Sequence, residues 1–235
     1  MTQFDWLVSS FSKTVFTVFD TETTGLDPKL CRVVEVGGIR FDARGINARF
    51  NALINPKTPM PPEVTKINGI TDAMLAGQSE SAQILPDFLR FIGNSVLVAH
   101  NAPFDISFIN EELGRLGKPA LQNKVIDTRI FAKEMFPGLP KYALQDLATR
   151  FGIKALDAHR AEDDARVCLE LFMICFDELK LKNPETAMAI QPAETQKTSA
   201  TSTPSHFGVH LETEQEDLFN EEIEDDEEFF DETQV

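Results

Sequence analysis

Two acids stand two residues apart in "FDTETTG": Asp20 and Glu22 follow an apolar, β-branched run. On an extended strand that spacing puts both carboxylates on one face, where they repel each other unless a cation lies between them. Read alone, the pair fits a solvated strand face as well as a metal site. The neighbouring Val15, Val18 and Phe19 mark an inner strand, however, where acids are rare. A third acid, Asp105, sits in the first turn of an expected helix opened by Pro103, and the helix dipole alone accounts for an acid there. Nearby His100 reads as a hydrogen-bonded core histidine rather than a ligand.

The stretch "HRAEDDA" holds three consecutive acids, Glu162, Asp163 and Asp164. On a helical wheel of about 100° per residue, Asp164 falls within roughly 60° of Ala161, Cys168, Leu171 and Cys175. It therefore lies inside the apolar stripe that must face the rest of the fold. Glu162 falls nearly opposite, where Arg166 is its i+4 neighbour, and Asp163 falls on the flank. Both read as solvated surface. A buried carboxylate needs a proton, a cation or donors, so Asp164 is the acid of the run expected to do chemistry. His159 precedes the helix, where a loop can hold it at the same end.

Asp20, Glu22, Asp105 and Asp164 make an all-carboxylate set. Oxygen donors of this kind suit Mg²⁺ or Mn²⁺ rather than zinc. Four of them suit two ions about 3.5–4 Å apart, an arrangement for in-line displacement at phosphorus. Histidine is the side chain suited to taking a proton from the attacking water near neutral pH, and His159 is the candidate here.

The elements that must position these residues follow from periodicity. "KTVFTVFDTE", "RVVEVGGIRFD" and "ARFNALINP" read as three strands in a meander. "PPEVTKINGITDAML" reads as short helices, and "SAQILPDFLRFIG" as a longer one with Pro86 near its start or kinking it. "SVLVAHN" and "KVIDT" are short strands. "PFDISFINEELGRLG" is a helix with Pro103 at its start and Gly117 at its end. "RIFAKEMF", "YALQDLATRFG" and "RAEDDARVCLELFMICFDELK" are further helices. Three strands first, then alternation, predicts an α/β fold: a mixed sheet, antiparallel at first and then parallel, flanked by helices.

The chain has 235 residues, 42% hydrophobic, enough for one sizeable core plus a tail. Its 3 cysteines, without a C-x-x-C spacing, fit neither a disulfide framework nor a zinc site and suit a reducing, cytoplasmic setting. The N-terminus lacks the basic region of a signal peptide, and no apolar run is long enough to span a bilayer. The net charge of −16 is uneven: residues 211–235 hold 13 of the 38 acids and no Lys or Arg, leaving 25 acids against 22 basic residues elsewhere, a net of −3. Neither part carries a basic nucleic-acid footprint, which argues against coating a long nucleic acid but not against gripping a strand end. The composition divides the chain into a domain over residues 1–181, a flexible linker over 182–210 and an acidic, disordered tail over 211–235.

Taken together, these motifs resemble the DnaQ-like 3′–5′ exonucleases of the DEDDh set. The first motif is "FDTETTG" with Asp20 and Glu22, and the second is "HNAPFD" with Asp105. The third, His-x-Ala-x-x-Asp-Ala, is met by His159, Ala161, Asp164 and Ala165. Order and spacing match over roughly residues 14–180, and the three motifs together are highly specific. The resemblance implies a ribonuclease H-like fold, two divalent ions and release of 5′-mononucleotides from a nucleic acid 3′ end, with DNA favoured and proofreading or repair as the setting. The same site chemistry also suits RNA 3′ trimming, and a noncatalytic scaffold is the reading that the five filled catalytic positions oppose.

By the same resemblance Thr23, Leu26, Asn68 and Phe104 are candidate substrate contacts. Asn68, in "INGIT", stands where the family usually has histidine, so it can hydrogen-bond but carry no charge. In the tail, "QEDLF" resembles the short peptide that docks on bacterial sliding clamps, which makes Gln215, Leu218 and Phe219 candidate contacts to a clamp or polymerase. A solubilising polyanion and a nucleic-acid mimic are the alternatives for that segment.

Overall fold

The computed structural model describes residues 2–184. Residues 185–210 of the expected linker, the acidic tail and the clamp-peptide residues Gln215, Leu218 and Phe219 lie outside the described residues, and the last helix runs one residue into that linker, to Lys182.

Strands β1 (Phe16–Thr23), β2 (Val33–Asp42) and β3 (Gly45–Leu53) form the expected antiparallel meander. Helices α2 (Pro62–Asn68), α3 (Asp72–Leu75) and α4 (Ser81–Ile92) follow, then β4 (Val96–Ala99), α5 (Pro103–Arg115) and β5 (Val125–Asp127). Helices α6 (Thr128–Met135), α7 (Leu144–Phe151) and α8 (Ala161–Lys182) complete the domain. The strand order is β3-β2-β1-β4-β5, with β4 parallel to both β1 and β5. A short helix, α1 (Trp6–Ser10), precedes them all; with five residues it is too brief for periodicity to reveal, yet it buries Leu7 and Val8.

The meander places β1 at the centre of the sheet, covered on both faces. Its alternate side chains serve two cores. Phe16 and Val18 pack with α6, α7 and α8 around Phe131, Leu147 and Phe172. Phe19, on the opposite face, packs with α4 and α5, its ring 5.7 Å from that of Phe88. Asp20 and Glu22 continue the series of Phe16 and Val18, so they emerge on the α8 face just past the apolar rows. Pro86 lies inside α4, and Gly117, at φ 65°, ends α5 by letting Lys118 N–H reach the Leu113 carbonyl.

Helix α8 crosses this face with its first turn resting on β2. Asp20 pairs in register with Gly37. A Cβ at Gly37 would lie 2.4 Å from the Ala161 carbonyl carbon and 2.4 Å from the Glu162 nitrogen. The start of α8 can approach the sheet only because that residue has no side chain. Gly37→Ala should therefore lower stability by about 1–3 kcal/mol through overpacking. A denaturant midpoint equal to wild type would show that the helix start yields freely.

Candidate active site

The site lies where β1 runs out from under the two cores. Asp20 and Glu22 come from β1, and Asp164 comes from the first turn of α8, 7% exposed among the apolar residues of its stripe. Each of the three offers a carboxylate oxygen within 4.8 Å of the others. Asp105, buried in the first turn of α5, is held by the residue between the two strand acids. Its Oδ1 accepts from Thr21 N–H at 2.9 Å and from the Thr21 hydroxyl at 2.8 Å. Thr21 faces the α5 side of the sheet, so one strand carries two ligand candidates on one face and grips a third from the other. No sequence period pointed to Thr21, because threonine is an ordinary strand residue.

Burial sets the protonation of these acids. Desolvation pushes Glu22 up to about 8, with further repulsion from Asp164, Glu35 and Asp105 against the one bond from Asn68 that favours its charge. Desolvation likewise lifts Asp105 to about 7, against the two bonds from Thr21. Asp20 is raised well above the ordinary carboxylate range by burial and by Asp105, Asp164 and Glu22. Asp164 is raised by burial, opposed by the nearby His159. A group of buried and half-buried oxygens that resist ionising beside one another fits a divalent cation, which supplies the missing positive charge.

Neutral donors orient the carboxylates. Asn68 is itself buried and donates its amide to Glu22 Oε2 at 3.2 Å, while its Oδ1 accepts from Ile70 N–H. Gln145 of α7 donates to Asp164 Oδ1 at 2.7 Å. The backbone N–H of His159 reaches Asp164 Oδ2 at 3.3 Å. His159 sits in the left-handed region at φ 64°, and its side chain is exposed. His100 is the core histidine expected: its ring nitrogens meet the Thr128 hydroxyl and the Tyr142 carbonyl, each at 2.9 Å, and burial lowers its pKa.

The three-acid run divides differently from the wheel's expectation. Asp164 is buried as read, but Glu162 does not meet Arg166; it lies 3.6 Å from Arg49 of β3. Arg166 pairs instead with Asp163 at 2.8 Å and with Glu170. Asp163 is no solvated companion, with only 10% of its side chain exposed. Its Oδ2 accepts from the backbone N–H groups of Leu156 at 2.7 Å and Asp157 at 2.8 Å. Burial raises its carboxyl, but those bonds and Arg166 outweigh it and hold the pKa below the usual value. The wheel assigns a residue to the flank of its own helix and is blind to a preceding loop that folds back over that flank.

Of the candidate substrate contacts, Leu26 is 86% exposed in the turn after β1, and Phe104 is half-buried on α5 with its ring 4.8 Å from Phe108. Thr23 is buried and donates its hydroxyl to the Gly25 carbonyl at 2.6 Å. The Leu26 turn is fixed from below. Buried Glu112 of α5 takes two bonds from Arg32, at 2.6 and 3.0 Å, and Arg115 bonds the carbonyls of Pro28 and Lys29. Among the described residues no helix is long and apolar enough to cross a membrane.

Comparison with known proteins places the chain in a family. The family described as Exonuclease matches residues 17–172. The chain is 51% identical to DNA polymerase III subunit epsilon of Treponema pallidum over 171 residues, which are 72% of this chain and 80% of that one. It is 39% identical to the PolC-type DNA polymerase III of Clostridium perfringens over 165 residues, 70% of this chain and 11% of that much longer protein. Among solved structures, exonuclease X in complex with 5′-overhanging duplex DNA superposes with a TM-score of 0.58 at 25% identity, covering 69% of this chain and 91% of that one. Fold and family match together define a nuclease of the ribonuclease H-like class. Within it, the chain belongs to the exonuclease family, in its DnaQ-like, epsilon-type branch.

Two outcomes follow from the site's electrostatics. Carboxyls whose folded-state pKa is raised contribute stability below their unfolded pKa and lose it as pH rises through the folded value. In chelator, the melting temperature should fall between about pH 4.5 and pH 8, the span from the ordinary Glu22 value to its raised one. Added Mg²⁺ or Mn²⁺ should remove most of that fall, so the gain in Tm on adding metal grows with pH; a gain independent of pH would contradict the raised carboxyls. Asp163→Asn keeps the shape but halves the acceptor capacity of the group that ties down residues 156 and 157. It should cost about 1–2 kcal/mol in chemical denaturation, whereas a solvated surface acid would cost nothing measurable.

Proposed function

We propose that this chain is a metal-dependent 3′–5′ exonuclease that hydrolyses DNA from the 3′ end to 5′-mononucleotides, in replication proofreading or repair. The observation that carries the reading is the convergence of Asp20, Glu22 and Asp164 at the end of the central strand, with Asp105 anchored beside them and His159 exposed at the rim. Membership in the exonuclease family supports it, as do relatives that are named polymerase III subunits and a structural neighbour bound to DNA.

Asp20, Glu22, Asp105 and Asp164 would hold two Mg²⁺ or Mn²⁺ ions. When bound, the ions supply Lewis acidity at the scissile phosphate and at the attacking water. The chain's own residues do the rest. Thr21, Asn68 and Gln145 hold the oxygens of Asp105, Glu22 and Asp164, so the carboxylates do not reorganise when charge develops. His159, with its imidazole open to solvent, takes a proton from the water that attacks phosphorus. Leu26 and Phe104 offer apolar surface to the terminal nucleotide, with Thr23 and Asn68 behind them. The exonuclease domain covers residues 1–181. The acidic segment 211–235, joined through 182–210, carries the Gln215, Leu218 and Phe219 set that would dock on a sliding clamp or polymerase.

The full chain should release labelled mononucleotides from 3′-labelled single-stranded DNA and from mismatched duplex DNA, with Mg²⁺ or with Mn²⁺. Asp164→Ala should reduce that release on the order of 10²–10³-fold or more. Full activity in the variant would sink the site assignment. Preference for a 3′-labelled RNA over both DNA substrates would replace proofreading with RNA trimming.

A further inference from the structure

A buried ion pair lies next to the acidic cluster without belonging to it. Glu35 of β2 is fully buried and faces Glu22 in register across the two strands. Two carboxylates directly opposite would repel. Here the two are held apart: Glu22 accepts from Asn68, while among the described residues every side-chain bond of Glu35 runs to the start of α8. Its Oε1 accepts from Arg160 Nη2 at 2.8 Å, and its Oε2 accepts from Arg160 Nε at 3.0 Å and from Ala161 N–H at 3.2 Å. The fork-to-fork geometry fixes the guanidinium in one plane. Arg160 is the residue after His159 and the N-cap of α8, four residues before Asp164, whose N–H bonds the Arg160 carbonyl at 2.9 Å.

We infer that Glu35 and Arg160 are positioning residues for His159, an inference that rests on the exonuclease reading above. The pair pins the backbone on the helix side of His159. Asp163, through the N–H groups of Leu156 and Asp157, pins it on the loop side. Between the two anchors His159 is held at φ 64°, a conformation that a β-carbon disfavours and that a loose loop would abandon. Among the described residues the imidazole makes no hydrogen bond that would orient it, so its placement follows from this backbone. Glu35 is thereby kept out of metal binding, since both oxygens are already engaged, and Arg160 offsets part of its repulsion of Glu22.

The test uses the full chain, a 3′-labelled single-stranded oligonucleotide and Mn²⁺, with Glu35→Gln, Arg160→Lys and each combined with His159→Ala. Glu35→Gln should lower kcat by about 10–100-fold with KM changed by less than about threefold. In the His159→Ala background the same substitution should cost less than about threefold, because the residue it positions is already gone. Arg160→Lys, which keeps the charge and loses the fork, should fall between wild type and Glu35→Gln and should stay folded by circular dichroism. If Glu35→Gln does not fold, Arg160→Lys in the two backgrounds decides. Equal losses with and without His159, or no loss at all, would overturn the positioning role. A fully active His159→Ala would instead overturn the assignment of the base, so the two failures are distinguishable.

Discussion

The repulsion among carboxylates crowded together at the end of β1 is the constraint around which the rest of the domain is arranged. Acids that would ionise freely in water are brought within 4.8 Å of one another, in a place where burial alone lifts their pKa values. Such a cluster is stable only if its members are protonated, hydrogen-bonded or bound to a cation. The domain supplies the second condition with neutral donors only: Thr21, Asn68, Gln145 and the His159 N–H. The nearby cations Arg32, Arg115 and Arg160 are spent on Glu112 and Glu35. Orientation without neutralisation is the state that suits a metal.

The approach of α8 to the sheet is the second requirement, and it follows from small details of β2. Gly37 gives room to the helix backbone, and Glu35 meets the first free N–H and the capping arginine. A helix start carries unpaired N–H groups and a partial positive charge, which is why a buried acid is tolerated there. The acid that satisfies the helix start and the acids that serve the site are therefore different residues. Glu112 does a similar service on the other face, holding the turn of Leu26 through Arg32.

Much of this was legible in the chain. The alternation of β1, the Pro and Gly limits of α5 and the long period of α8 marked the elements within a few residues, because each rests on local backbone geometry and on a single apolar face. Asp164 was separable from its neighbours by helical phase alone. Asp163 was not readable in the same way. Its partners Leu156 and Asp157 belong to a loop, and a loop has no period from which a contact could be inferred. Thr21, Gln145 and Glu35 were missed for a related reason: each is an ordinary residue of its element, and only its long-range partner makes it part of the site.

By itself, then, the sequence determined the fold class, the inward-facing carboxylates and the histidine beside them, since spacing along a strand or helix dictates which side chains share a face. Only the tertiary structure decided which oxygens are held and by what. It showed Asn68 turned onto Glu22, Asp163 closing the His159 loop, and Glu35 bound to Arg160 rather than left among the acids. Those choices depend on distances between segments as many as 125 residues apart in the chain, as for Arg160 and Glu35, and no local pattern encodes such a distance.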